Sequence, residues 1–177
     1  MALRNISVVK SALSAVERGA YGVRSGANTM KILLAIDDSK FSEAAVQAVT
    51  GQARPHTTEV RVLHVVEVPS LLVSREMGGP NFRLEAASES ELKAAEALVA
   101  SAADVLRGKG FDVSTSVEQG EPRTKIVDAA ATWNADLIVM GSHGRKGLDR
   151  FLMGSVSEAV VRHAHCSVEI VRVCSTD

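Results

Sequence analysis

Short apolar runs alternate with amphipathic segments from Met30 onward, and this alternation restricts the possible folds more than any other feature of the chain. Residues 31–37 and 136–140 are short apolar runs, as strands buried on both faces are. Residues 59–68 and 167–173 also have the composition of strands, and residues 111–119 alternate with a period of two residues. The pattern predicts five strands.

Helix-like segments separate the predicted strands. Ser39 is placed to cap the first helix, and the second has apolar residues at steps of three and four over residues 92–106. Two further helices are predicted over residues 124–133 and 155–163. Because strands that alternate with helices form parallel sheets, we expect an α/β fold: a five-stranded parallel sheet with helices on both faces.

The expected topology also predicts where a ligand would bind. In open parallel sheets, ligands bind outside the carboxyl ends of the strands, where the winding direction reverses. Asp37 ends the first predicted strand, and Gly141 follows the fourth. We therefore expect both residues to border one crevice.

Two segments fall outside the alternation. Residues 1–29 carry four basic residues against one acidic residue, Glu17. This composition is consistent with an unstructured extension, an upstream start, an organellar targeting peptide or an amphipathic helix that lies on a surface. We expect this extension to be dispensable for a domain that covers residues 30–177. Residues 69–83 are rich in breakers and exceed the usual connection length, which predicts a mobile loop on the ligand side of the sheet.

Composition argues against several classes of partner. The formal net charge of −1 is unfavourable for general binding to nucleic-acid phosphates. Aromatic residues are only 3% of the chain, too few for the stacking platforms that bind single-stranded nucleic acid. No apolar run is long enough to cross a bilayer. Cys166 and Cys174 are too few for a disulfide framework, so we expect reduced thiols in a cytoplasmic protein.

A glycine-rich segment connects the fourth predicted strand to the last predicted helix. Gly141, Gly144, Gly154 and Ser155 form the pattern G-x2-G-x9-G-S, whereas neither the P-loop nor the dinucleotide pattern G-x-G-x-x-G occurs. Glycine allows backbone to approach a phosphate closely. Ser155 and Glu158 match the S-x-x-E capping box of a helix start, where unpaired N–H groups bind anions. The segment therefore predicts a phosphate site.

Three stretches of sequence extend this pattern: MKILLAIDDSKFSEAAVQAV, VLHVVE and ADLIVMGSHGRKGLDRFLMGSVSEAVVRHAHCSVEIVR. Together with the glycine pattern, these stretches resemble the universal stress protein family from Met30 to the end of the chain. In that family the complete glycine pattern marks the members that bind ATP. The resemblance implies a flavodoxin-like order of five strands, within the Rossmann-like class that includes adenine nucleotide alpha-hydrolases. It also implies a homodimer joined through the last strand. Ser167 departs from the family, which commonly has Pro there.

The resemblance further implies that ATP is the ligand and that nucleotide occupancy signals a stress state to a downstream protein. Transferred position by position, the family's site consists of Ala35, Ile36, Asp37, Val65, Met140, Gly141, Gly144, Arg145, Gly154, Ser155, Val156 and Ser157. In this scheme Asp37 accepts from the ribose hydroxyls or orders its loop, and the backbone of Val65 meets the adenine edge. Met140 packs against the nucleoside. Mg²⁺ is expected beside the phosphates, since it favours phosphate oxygens with few protein ligands.

Other interpretations compete for the same residues. Asp37 and Asp38 are similar to the acidic pair of response-regulator receivers, but the further Asp and Lys of a receiver are missing. The enzymatic alternative is a slow ATPase or a related nucleotide hydrolase, although no nucleophile, base and orienting group form a visible set. His64 is expected to be a hydrogen-bonded core histidine. His143 is a candidate to contact phosphate or to assist hydrolysis.

Overall fold

The structure, a computed structural model, describes residues 29–67, 87–144 and 153–173. Strands and helices alternate along these ranges: β1 (Met30–Ala35), α1 (Lys40–Gln52), β2 (Thr58–Glu67), α2 (Glu89–Arg107), β3 (Asp112–Gly120), α3 (Pro122–Trp133), β4 (Leu137–Gly141), α4 (Ser155–His163) and β5 (Ser167–Val171). The predicted loop at residues 69–83 and the body of the predicted extension lie outside the described residues. No helix in the described ranges is long and apolar enough to span a membrane.

All five strands are parallel and lie in the order β3-β2-β1-β4-β5. The predicted five-stranded parallel sheet of Rossmann-like type is confirmed. The flavodoxin-like strand order is not the one observed, because that order places β1 between β2 and β3, whereas here β2 separates β1 from β3. After β3 the chain returns across the sheet and adds β4 and β5 on the other side of β1. The winding therefore reverses between β1 and β4.

Helices cover both faces of the sheet, as predicted. Along β1, Ile32 and Leu34 pack with α1 and α2, whereas Leu33 and Ala35 pack with α3 and α4. Side chains alternate along a strand, so each strand contributes to both clusters, and these four residues are buried. At the sheet edge, β3 has several exposed residues, in agreement with its period-two pattern. The core thus lies in two layers that hold the strand ends in fixed positions.

The turn from β1 to α1 departs from the prediction by two residues. β1 ends at Ala35, not at Asp37, because the N–H of Asp37 leaves the sheet and donates to Ser42 Oγ at 2.8 Å. The predicted cap of α1 is confirmed: Ser39 Oγ accepts from the N–H of Ser42 at 3.4 Å. This turn points the Asp37 side chain at the carboxyl edge of the sheet, beside the end of β4.

Candidate functional site

The carboxyl ends of β1, β2 and β4 border a cleft of about 1050 Å³. It lies where the winding of the sheet reverses, the position at which open α/β sheets bind ligands. Every predicted site residue that the structure describes lines this cleft: Ala35, Ile36, Asp37, Val65, Met140, Gly141, Gly144, Gly154, Ser155, Val156 and Ser157. Arg145 lies outside the described residues. Residues that are distant in the sequence are thus brought into one site.

Asp37 orders the turn after β1. Its Oδ1 accepts from the hydroxyl of Ser42 at 2.7 Å and from the N–H of Ser39 at 3.1 Å. Its Oδ2 lies against the next segment, since a Cβ built on Gly144 would stand 2.7 Å from that oxygen. One carboxylate oxygen therefore fixes the loop, while the other is left at the cleft.

Gly141 is required by the packing of α1 on the end of β4. A Cβ at this position would lie 2.6 Å from the Cβ of Phe41 and 3.0 Å from its carbonyl carbon. Real side chains do not tolerate such distances, so only glycine lets the first turn of α1 approach β4 here. The sequence predicted glycine for a phosphate's approach, whereas the observed contact is made by the protein itself.

Gly154 joins the loop after β4 to the start of α4. Its N–H donates to the carbonyl of Ser142 at 2.8 Å, and an added Cβ would lie 3.1 Å from that oxygen and 3.4 Å from the Cα of His143. Its backbone angles, φ −63° and ψ 150°, lie in the extended region that any residue can adopt. Glycine is therefore favoured at this position by close backbone contact and not by backbone conformation.

The predicted capping box at Ser155 and Glu158 is wrong. Gly154 is the N-cap of α4, so Ser155 is already the first helical residue and Glu158 is the fourth, too far along to reach back to the cap. Glu158 instead pairs with Arg162 at 2.9 Å. Glycine has no capping side chain, and the N–H groups of Ser155, Val156 and Ser157 have no acceptor among the described residues. The start of α4 therefore presents three unpaired amides to the cleft.

Ser157 contributes its amide to the cleft but not its hydroxyl. The side chain is buried, and its hydroxyl donates to the carbonyl of Gly141 at 2.9 Å. This bond fastens the first turn of α4 to the last residue of β4. The amides that face the cleft are consequently held in place by the scaffold before any ligand arrives.

Among the described residues, the charged side chains that line the cleft are acidic. They are those of Asp37, Asp38, Glu67 and Glu91, and no described Lys or Arg lines the cleft. An anion in this part of the cleft would therefore depend on backbone N–H groups and helix dipoles rather than on described cations. The basic residue among the predicted site residues, Arg145, lies outside the described residues.

Two histidines line the cleft with different surroundings. His64 is buried, and its Nδ1 donates to the carbonyl of Ile36 at 2.8 Å, which confirms the predicted hydrogen-bonded core histidine. His143 packs near the ring of Phe41, and its Nδ1 is 3.1 Å from Ser142 Oγ. Ser142 is 1% exposed, so its hydroxyl is not accessible to attack a bound substrate.

Ser42 is the main site residue that the sequence analysis missed. It is buried, and its hydroxyl makes two hydrogen bonds with Asp37. The hydroxyl accepts from the N–H of Asp37 and donates to Asp37 Oδ1. A signal existed, because Ser42 precedes Ala45, Val46 and Val49 at the helical spacing of the apolar stripe of α1. A polar residue inside such a stripe needs a buried partner, and the acidic residues just before α1, Asp37 among them, are candidates.

Comparison with known proteins gives a consistent result. A model of the universal stress protein family matches residues 28–172. A universal stress protein of Methanocaldococcus jannaschii is 32% identical over 151 residues, which cover 85% of this chain and 86% of that protein.

Solved structures agree with the sequence comparison. The protein MJ0577 has a TM-score of 0.68 at 28% identity, covering 84% of this chain and 99% of that one. The universal stress protein of Archaeoglobus fulgidus in complex with dAMP has a TM-score of 0.60 at 24% identity, covering 81% and 98%. The family match includes both the parallel sheet and the glycine-rich segment that leads into α4. This chain belongs to the universal stress protein family.

Proposed function

We propose that this protein binds ATP across the carboxyl ends of its strands and acts as a nucleotide-dependent regulator in stress responses. The start of α4 carries the proposal, since three consecutive amides there have no acceptor among the described residues. Amides at a helix start bind phosphate groups, and the helix dipole adds to the attraction. The complex of the A. fulgidus relative with dAMP supports a nucleotide as the ligand.

The remaining lining residues suit the rest of the nucleotide. With the phosphates at Ser155–Ser157, the sugar would extend toward β1, where Asp37 Oδ2 is the carboxylate oxygen that the turn does not use. Met140 and Val65 supply apolar surface for the base between β4 and β2. Nucleotide pockets combine such apolar walls with a few fixed polar groups.

We include Mg²⁺ with the bound ATP. Among the described residues, no group of three or more His, Cys, Asp or Glu side chains is arranged to hold a metal ion. The ion would therefore be carried mainly by phosphate oxygens and water, as is common for Mg²⁺. Its chemistry there would be the neutralisation of phosphate charge close to the acidic side chains of the cleft.

A regulator also needs a surface through which occupancy is communicated. We propose a homodimer joined through β5, because β5 pairs only with β4 in the described sheet and so forms its edge. An edge strand with unpaired backbone groups pairs readily with another strand. We place the dimer in the cytoplasm, where a downstream protein would distinguish its ATP-bound form.

The test is a mass spectrum of the nucleotide extracted from freshly purified protein, followed by incubation with excess ATP. We expect ATP in the extract and a bound nucleotide that stays unhydrolysed over many minutes. ADP formation with turnover would instead favour the alternative, a slow ATPase. An extract without nucleotide, together with no binding of added ATP, would contradict the proposal.

A further inference from the structure

A groove runs between α1 and α2, on the sheet face opposite to α3 and α4. It has a volume of about 280 Å³. The residues of α2 that line it have the spacing i, i+3, i+4, i+7 of one helix face, and they are Leu98, Ser101, Ala102 and Val105. The fully buried residues of α2 are different ones. The groove face of α2 is therefore additional to its core face.

Apolar side chains form the floor of the groove and its end at the amino edge of the sheet. Ile36 and Val46 line the groove and are buried, whereas Val105 is 43% exposed. Val105 lies near the end of α2, which returns the chain to the amino edge for the start of β3. Met30 begins β1 at the same edge and is 39% exposed. Because side chains alternate along β1, Met30 faces α1 and α2 as well.

The chain enters β1 at this edge, so the N-terminal segment, residues 1–28, begins its course beside the groove. This segment lies outside the described residues. Its sequence has an N-terminal stripe of apolar residues at steps of three and four, which consists of Ile6, Val9, Leu13 and Val16. Such spacing is typical of one face of an amphipathic helix. As a helix, residues 9–16 would rise about 10 Å, the same as residues 98–105 of α2.

The connection between the stripe and β1 is long enough to reach the whole groove. Residues 17–28 can span up to about 40 Å when extended. β1 has six residues and is about 20 Å long, which is the height of the sheet beside the groove. The stripe can therefore lie at any level between the two helices.

The groove and the N-terminal segment carry opposite charges. Asp37 and Glu43 are the charged residues that line the groove in the described part of the chain, and both are acidic. The segment carries four basic residues against one acidic residue. Opposite charges favour docking of the segment, whereas two copies of the groove placed face to face would bring acidic groups together. Charge therefore favours the segment over a second copy of the groove.

We propose that residues 6–16 dock in the groove between α1 and α2, with the N-terminal stripe against Leu98 and Val105. An amphipathic helix in an apolar groove is a common mode of recognition. The inference goes beyond the proposed function and does not depend on a nucleotide. Because Asp37 and Leu98 line both the groove and the cleft, the docked segment would border the cleft.

Trypsin cleavage of the full chain after Lys10 tests the docking, with mass spectrometry to separate this cut from others. The protease acts on the undocked fraction, so wild type should be cut at least about tenfold more slowly than a synthetic peptide of residues 1–24. Val105→Asn removes apolar contact in the groove and should speed the cut about tenfold. Ala100→Asn is the matched control, because Ala100 is exposed on α2 outside the groove, and it should be cut at the wild-type rate.

Glu43→Gln tests the contribution of charge at an exposed position of the groove. It should speed the cut about twofold, as expected for the loss of a surface attraction. Cleavage of wild type at the rate of the peptide would overturn the inference, as would equal rates for Val105→Asn and Ala100→Asn. Protection that increases with protein concentration would overturn it too, because a second copy would then supply the occupant. If Val105→Asn does not fold, an unchanged rate in Glu43→Gln overturns the inference.

Discussion

Two helices that begin at the same edge of the sheet solve the problem of their unpaired amides in opposite ways. α2 begins with a complete capping box, in which Ser88 Oγ accepts from the N–H of Glu91 and Glu91 accepts from the N–H of Ser88 at 2.8 Å. α4 begins at Gly154, which has no side chain to offer. Every helix start needs acceptors for its first amides.

The difference separates a scaffold from a site. The start of α2 supplies its own acceptor for the amide of Glu91 and has acidic groups in its first turn, so it has little attraction for an anion. The start of α4 is held rigidly, through Gly154 and Ser157, yet its amides are left for a partner. Rigid, unsatisfied donors are what an anion-binding site requires.

A capping side chain at the start of α4 would remove the difference between the two helix starts, and we expect it to have the largest effect on binding. Gly154→Asp places a carboxylate where it can accept from the amides of the first turn and repel phosphate. We expect ATP affinity to fall by about a hundredfold, roughly 2.8 kcal/mol. Isothermal titration calorimetry measures the loss.

Gly154→Ala is the matched control, because it introduces the same Cβ contact with the Ser142 carbonyl without a capping group. It should bind ATP much more tightly than Gly154→Asp, and its melting temperature reports the cost of the contact alone. Equal affinities for the two variants would show that crowding at Gly154, not the loss of free amides, weakens binding.

Removal of the cap at α2 should act on stability alone. Ser88→Ala leaves the N–H of Glu91 without its acceptor, which typically lowers the free energy of unfolding by about 1 kcal/mol. Denaturant unfolding measures this loss, and ATP titration should show affinity within about twofold of wild type. A large loss of ATP affinity would mean that the start of α2 belongs to the site after all.

The same cap predicts a dependence on pH. The Ser88 hydroxyl, and after it the Ser88 backbone N–H, hold the pKa of Glu91 below its usual value. A carboxyl whose pKa is lowered by folding adds stability above its unfolded pKa, and this contribution is lost as pH falls through the folded pKa. Wild type should therefore lose slightly more stability on acidification than Glu91→Gln. Parallel acid-unfolding curves for the two proteins would contradict this.

Ser155→Ala should have the smallest effect on stability. Ser155 is the first helical residue and caps nothing, so the free energy of unfolding should change by less than about 0.5 kcal/mol. Chemical unfolding beside Ser88→Ala gives the contrast directly. A loss as large as that of Ser88→Ala would restore the capping role that the sequence pattern suggested.

Ser88 and Ser155 also show how much of a helix start can be predicted from the sequence. Both S-x-x-E patterns fit a capping box, and only the one at Ser88 forms it, because a glycine directly before Ser155 takes the N-cap position. Whether Gly154 or Ser155 becomes the N-cap of α4 depends on the hydrogen bond from the N–H of Gly154 to the Ser142 carbonyl. That bond joins the two ends of the connection between β4 and α4, whose relative position the local sequence does not determine.

The sheet was more predictable than the contacts around it. Buried strands such as β4 are short, apolar and bounded by polar residues, so their existence follows from local pattern. The strand order differs from the flavodoxin-like one because it depends on which direction each crossover takes. The reason for Gly141, which ends β4, was not predictable for a similar cause, because the residue that it contacts, Phe41, lies in α1 and is distant in the sequence.

The central claim is that the amides at the start of α4 bind the phosphates of ATP. It is tested most directly by following backbone amide NMR signals during titration with ATP and, separately, with adenosine. We expect ATP to shift the signals of Ser155, Val156 and Ser157 strongly, adenosine to leave them nearly in place, and neither to move those of Glu89–Glu91. Saturable ATP binding that leaves the three α4 amides unshifted would contradict the account.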